Sequence, residues 1–436
     1  MPLSSSFFKP DTSFSLNRNN KIKILIVLLL SVFLKILYFI FNKGVLGPDA
    51  NEYLEASKIF VNEYFNYFFN NSPYTFWRLP LFPFILFITK SLSALYIIQL
   101  ILTYYAAFLI FKIFIKLNFS FENSFYTCLF SLFVPYFNIA AMSPGVEFLQ
   151  VVMLLYITKK IIYNQNDVFL ICCLVLLCFL RPESFILVLF ILIRNIYLRQ
   201  FKPAIYSTIP LLLLLIWMTR NLLIFGSFSM INPIMSSRAM IGSIYGVIYV
   251  EEPHSFHKKY NYYEGFDYVN NREFVKEYKS VVKHELSEYI LHHPFKYIQH
   301  RITSILKCFS YISLHGEHMP DKDWKIYSTD DRDFIIKNNS IWGYSNLLSN
   351  KDYLRLIVRL LYNLSLVFGH FAGLIYILIN YKHFKIILFI FLTFSYLFIV
   401  ESDMRYFIFV QLICICFAFI WLLQIGQYSV SRLKKI

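Results

Sequence analysis

Asp49, Glu52, Arg78, Glu147, Arg181, Glu183, Arg220, Asp403 and Arg405 are scattered over most of a 436-residue chain, yet each stands at the edge of an apolar run. Acids beside several arginines suit one chemistry well. A carboxylate takes a proton from an attacking hydroxyl or amine. Arginines hold a phosphate through fixed bidentate donors and stabilise the charge that grows on it as it leaves. The first acid lies in GPDANEYLEASKIF, residues 47–60, close behind KIKILIVLLLSVFLKILYFIF. A lipid-linked sugar phosphate arriving sideways from a bilayer meets the requirements of such a set, and an apolar protein body would bind its tail.

The elements that must position these residues follow from composition. With 58% hydrophobic and 20% aromatic residues and only 12 glycines, the chain is more apolar than a soluble domain of its length can bury. Each span needs about 20 mostly apolar residues and must satisfy its own backbone hydrogen bonds, which predicts helices. The apolar runs are continuous and rich in Leu, Ile and Phe, so the alternating pattern of an outer-membrane barrel is excluded. The first run starts at Lys21 and has no small-residue cleavage site before Lys43, and it reads as a retained span. The net charge of +15 is spread over span ends, which speaks for topology and contact with anionic lipid and against nucleic acid. Six of the seven cysteines lie in apolar runs, Cys308 stands in the polar segment, and no disulfide framework or zinc pattern follows.

Placing the basic N-terminal tail in the cytoplasm sends residues 47–53 outside. Spans near 21–42, 93–111, 123–142, 146–162, 167–180, 183–198, 203–219, 354–380, 385–400 and 405–424 then put Lys112, Lys116, Lys159, Lys160, Arg194, Arg199, Lys382 and Lys434 on one side. The expectation is an all-α, polytopic membrane bundle of about ten spans with both termini cytoplasmic, plus short interfacial helices. LPLFPFILFITK, residues 79–90, is too short to span and reads as such an interfacial helix. Three regions result: an N-terminal membrane module, 1–219, with a first extracytoplasmic loop at 43–79; a polar extracytoplasmic region, 220–352, with a helix-like part around 271–312; and a C-terminal membrane module, 353–436.

This threading, set by lysines and arginines at the inner ends, also gathers the acids and remaining arginines at the outer ends. Charges cost roughly 2.5 to 3.5 kcal/mol at a helix centre on insertion scales, less near an end, so a mixed set at the mouths marks a cavity or pathway. Singly, each has a plainer reading. Arg181 or Arg220 can snorkel to lipid phosphate, Glu147 can pair with an arginine, and Asp49 can cap a helix with Glu52 completing a capping box.

GPDANEYLEASKIF resembles the first-loop motif of GT-C glycosyltransferases of the protein O-mannosyltransferase and aminoarabinose-transferase type, an Asp followed four residues later by Tyr and then Ala. WRLPLFPFILF is similar to the Arg-x-Pro helix of that family, and VPYFNIAAMSPGVEFLQ to its span-break-span with Glu at the start of the next span. FLRPES, IWMTRNLLIFGSF and SDMRYFIF resemble its Arg-Pro step, its Trp-x-x-Arg-Asn exit and its late Arg-Tyr. The motifs keep the family's order over residues 47–410. The resemblance implies a GT-C-like bundle with an extracytoplasmic active site, a polyprenyl- or dolichyl-phosphate sugar donor and inversion at the anomeric carbon. By position it makes Asp49 the catalytic carboxylate, with Arg78, Arg220 and Arg405 as candidates for the donor phosphate and Tyr53, Glu147 and Arg181 completing the candidate substrate-binding set. Relatives often carry Asp-Glu where this chain has Asp49-Ala50, so Glu52, on the same side of a helix, is the candidate second acid.

The expected protein is therefore an inner-membrane glycosyltransferase of the cell envelope, with no cofactor and an acceptor left open among lipid, glycan and protein. A divalent cation is a minor alternative at SLHGEHMPDKD, 313–323, where His315, Glu317, His318, Asp321 and Asp323 offer ligands. Two other functions fit parts of the pattern. A polymerase or ligase of lipid-linked glycans needs a similar outer cavity but a diphosphate donor. A transporter or flippase for a lipid-linked or anionic solute usually places ionisable groups near the midplane.

Overall fold

A computed structural model of the chain describes residues 18–42, 48–63, 78–142, 144–181, 184–230, 290–292, 294–299, 367–379 and 408–433, with a few single positions between them, Thr75 included. Among the described residues the structure is helical with no strand. Helix α1 (Arg18–Asn42) is followed by α2 (Pro48–Glu63), α3 (Leu81–Thr89), α4 (Leu92–Lys116), α5 (Phe121–Ser131), α6 (Pro135–Ala141) and α7 (Val146–Ile162). Next come α8 (Val168–Leu180), α9 (Phe185–Tyr197), α10 (Phe201–Ser207) and α11 (Ile209–Phe225). Helix α12 (Val367–Ile379) and α13 (Ile408–Leu433) complete the described set.

Among the described residues three stretches are long and apolar enough to cross a membrane: Leu92–Lys116, Phe201–Phe225, which runs through α10 and α11, and Phe409–Ser429. Ile24–Leu37, Val168–Leu180, Phe185–Tyr197 and Val367–Ile379 are shorter apolar helices. This is a helical protein of membrane type. The 13 residues of α8 and of α9 rise about 20 Å each, less than a hydrocarbon core of about 30 Å. Helix α3 takes up nine residues of the short segment expected at 79–90, beginning after Pro80, and ends where Lys90 turns left-handed. The expected span at 385–400 and most of the polar region lie outside the described residues.

Helices α4 and α7 form the centre, flanked by α5, α8 and α13. Phe114, Phe137, Phe148 and Phe417 are fully buried there, Phe114 and Phe417 lie with ring centroids 4.8 Å apart, and Phe130 stacks on Phe419 at 4.2 Å. Between helices in lipid the hydrophobic drive is small, so close packing and polar bonds carry association. Both devices appear at α13. A Cβ on Gly373 of α12 would run into the Cys414 carbonyl, so glycine permits that approach. Tyr376 donates to Gln424 Oε1 at 2.7 Å, and the amides of Asn123 and Gln427 bond reciprocally at 3.1 and 3.4 Å.

The ends of the bundle differ. At one end three short turns, α4–α5, α7–α8 and α9–α10, each contain a left-handed residue: Asn118, Asn164 and Arg199. Side chains knit these turns together. Tyr163 donates to the Lys112 carbonyl (3.1 Å), Arg194 to Asn164 Oδ1 (2.6 Å) and Asn166 to Asn195 Oδ1 (3.2 Å), and Lys160 pairs with Asp167. Asp167 also caps α8 by accepting from the Leu170 amide at 3.0 Å. Burial by itself raises the Asp167 carboxyl, but the Lys160 ammonium and the Leu170 amide together hold it below the ordinary aspartate value. We call this the lysine end, and the opposite one the arginine end.

One element departs from the expected continuous span at 123–142. The chain breaks between α5 and α6, because Pro135 has no amide hydrogen to continue the ladder and instead opens α6. Side chains reach the carbonyls at this break. Asn138 Nδ2 donates to Leu132 O and Val134 O, both at 2.9 Å, and Lys35 of α1 donates to Leu132 O at 3.2 Å.

Candidate functional site

At the arginine end, segments distant in sequence meet. Tyr53, Ala56 and Phe60 recur at helical spacing along α2 and are all buried. Ala56 and Phe60 pack with Leu79 and with Trp217 of α11 into one cluster, with Phe87 of α3 and Phe179 of α8 against it. Phe60 stacks on Phe87 at 5.9 Å, and Phe179 meets Trp217 edge-on at 6.3 Å. This cluster joins four pieces of chain that carry candidate groups: α2, the stretch before α3, the end of α8 and the last turns of α11.

Tyr53 lies edge-on to Phe82 at 4.9 Å, and the Arg78 guanidinium covers its ring at 4.7 Å. Asp49 stands one helical turn before Tyr53, on the register of the buried face, and Glu52 stands three residues after Asp49. Both acids belong to α2 by backbone, and their side chains lie outside the described part of the structure. Glu55 pairs with Lys58 at 2.5 Å on the outer face of α2, with side chains 43% and 63% exposed, which makes it a solvated surface pair.

Arg220 is only 9% exposed. Its guanidinium donates to Thr75 Oγ1 at 3.0 Å, to the Thr75 carbonyl at 3.4 Å and to Asn221 Oδ1 at 2.8 Å. The rings of Trp217 and Phe225 flank it at 4.8 and 5.1 Å. These contacts hold the planar fork in one orientation. The turn after α11 is locked in its own way. Gly226 adopts φ 71°, Asn221 Nδ2 donates to the Ser229 carbonyl at 2.9 Å, and Trp217 Nε1 donates to the Met230 carbonyl at 2.8 Å.

Glu147 opens α7 and Arg181 closes α8. Arg181 Nη2 donates to Glu147 Oε1 at 2.6 Å, with the two side chains only 11% and 12% exposed. Gly145, the N-cap of α7, leaves room for the folded-back carboxylate, which a Cβ there would strike. The pairing follows the plainer reading of Glu147.

The structure thus brings Tyr53 and Arg78 together, Glu147 and Arg181 together, and Arg220 into the same cluster through Trp217. Glu183, Asp403, Arg405 and the histidine- and acid-rich stretch at 313–323 lie outside the described residues. Two groups were not singled out from sequence. Thr75 holds Arg220, a contact across 145 positions that no local pattern announces. Lys35 is 4% exposed inside α1, and a lysine within an apolar run was the available signal. Comparison with protein-family models, with curated proteins and with solved structures finds no match for this chain.

Proposed function

We propose that this protein is a polytopic membrane glycosyltransferase that moves a sugar from a polyprenyl-phosphate donor to an extracytoplasmic acceptor with inversion. The observation that carries the reading is the meeting, in the cluster built on Ala56, Phe60, Leu79 and Trp217, of the helix bearing Asp49 with the segments bearing Arg78, Arg181 and Arg220. Those segments hold four of the six motifs that resemble the GT-C transferases. The topology that goes with it has about ten spans in the inner membrane, both termini cytoplasmic and the arginine end outside.

In the proposed reaction the acceptor hydroxyl or amine attacks the anomeric carbon. Its proton passes to the Asp49 carboxylate as the new glycosidic bond forms. The bond between that carbon and the phosphate oxygen breaks, and its electron pair leaves with the polyprenyl phosphate. Arg78 and Arg220, joined by Arg405, hold that phosphate and stabilise its growing charge, and Glu52 assists Asp49. The Asp49→Asn variant is expected to insert normally and to lose transfer from a polyprenyl-phosphate sugar by a hundredfold or more, in the range set for acid–base groups of roughly 10²–10⁴. Wild-type turnover in that variant would remove Asp49 from the mechanism.

One observation favours a second reading, a transporter of a lipid-linked or anionic solute: an ionisable side chain, Lys35, is buried within an apolar helix against a broken one. Cysteines placed beside Arg181 separate the two. They react with an impermeant thiol reagent from one side in the transferase and from alternating sides in the transporter.

A further inference from the structure

Helix α1 is arranged inside-out, as a lipid-facing helix is. Leu25, Leu29, Phe33 and Ile36 are exposed, while Ser31 and Lys35, one turn apart, are buried. The Lys35 ammonium donates to Ser31 Oγ at 2.7 Å and to the Leu132 carbonyl at 3.2 Å, and it lies 5.8 Å from the Tyr104 ring of α4. The Tyr104 hydroxyl reaches Ser31 Oγ at 3.4 Å. The helix therefore docks by its polar stripe, and the Lys35 charge lands on the carbonyl where the chain breaks after α5.

That break lies upstream of the Glu147–Arg181 pair. Asn138 grips the same Leu132 carbonyl from within α6. Its neighbour Phe137 packs on Phe148 at 5.5 Å, and Phe148 adjoins Glu147. An unbroken series of contacts thus runs from α1 through the break and α6 to the start of α7 and on to Arg181. We propose that Lys35 is a positioning residue: by holding the Leu132 carbonyl together with Asn138, it fixes α6 and so delivers Glu147 to Arg181. Its place in catalysis rests on the glycosyltransferase reading; its hold on the break does not.

The test is hydrogen–deuterium exchange of the full chain in detergent micelles, read by mass spectrometry over residues 131–148 and, as a control at the lysine end, over 156–170. Lys35→Met and Asn138→Leu, each removing one donor to the Leu132 carbonyl, are expected to speed exchange in 131–148 by about tenfold or more and to leave 156–170 at the wild-type rate. Lys35→Arg keeps a donor and is expected to stay within about threefold of wild type. Should Lys35→Met loosen the whole chain, Ser31→Ala, which removes the hydroxyl that steadies the Lys35 ammonium and leaves the charge in place, is read instead and is expected to speed exchange over 131–148 alone; wild-type exchange there overturns the proposal. Wild-type exchange over 131–148 in Lys35→Met, whatever Asn138→Leu does, overturns the proposal. In a transfer assay Lys35→Met is expected to lower kcat and leave the donor KM unchanged. If the wild-type protein transfers nothing, the glycosyltransferase reading fails, and the exchange result still decides the role of Lys35.

Discussion

Arg181 and Glu147 close a 2.6 Å ion pair between the end of one apolar helix and the start of another, with both side chains about nine-tenths buried. Removing one partner strands the other charge, which costs roughly 3–5 kcal/mol in buried pairs. Arg181→Met is therefore expected to lower the thermal unfolding midpoint in detergent more than the double variant Arg181→Met, Glu147→Leu does. Equal losses in both would show that the pair is solvated and adds little.

The fork of Arg220 is held by Thr75 Oγ1 and Asn221 Oδ1. Lysine keeps the charge but not the planar donors. On the proposed function, Arg220→Lys should raise the donor KM about tenfold or more, in keeping with the loss of a charge-assisted bond of roughly 1.5–3 kcal/mol. Steady-state kinetics with varied donor concentration reads this directly, and an unchanged KM would take Arg220 off the phosphate.

Ala56 of α2 is fully buried in the cluster that holds Trp217 of α11. Leucine there overpacks the contact, at a typical cost of about 1–3 kcal/mol, and pushes α2 away from α11. The expected outcome is normal insertion with transfer reduced at least tenfold, measured in membrane vesicles. Full transfer by Ala56→Leu would mean that the spacing of these two helices does not matter to the site.

Gly373 lies against the Cys414 carbonyl, where any side chain collides with backbone. Gly373→Leu is expected to part α12 from α13 and to break the Tyr376–Gln424 bond, lowering the thermal midpoint well below that of Gly426→Leu, a site with open space around it. Matching midpoints for the two variants would contradict this packing.

Asp167 carries the pH dependence of the lysine end. Its carboxyl is depressed in the folded chain relative to the unfolded one, so its contribution to stability is fully present above the ordinary aspartate value of 3.8 and is lost as pH falls through the lower, folded value. Asp167→Asn should flatten the acid limb of a stability-versus-pH curve and leave its slope above pH 7 unchanged. An identical acid limb in the variant would separate Asp167 from the effect.

Much of this arrangement was legible in local pattern. Continuous Leu, Ile and Phe runs predict the helices, Pro80 and Pro83 the short α3, and the basic residues towards the ends of α4, α7 and α9 the end at which Lys112, Lys160 and Arg194 meet. The pairing of Glu147 with an arginine was open to inspection because both stand at span ends. What could not be read is what depends on contacts across long separations. Lys35 finds its acceptor 97 positions away, at a carbonyl in the break between α5 and α6. A run of apolar residues around 123–142 conceals that interruption, since hydropathy reports what a segment is made of and not whether its ladder is continuous.

The most direct test of the central claim is native mass spectrometry of the purified protein in detergent, comparing wild type with an Arg78→Ala, Arg220→Ala variant. The proposed function predicts a co-purifying polyprenyl-monophosphate sugar on the wild-type protein that is lost from the variant. A diphosphate-linked oligosaccharide in its place, or a monophosphate sugar held equally by both proteins, would contradict it.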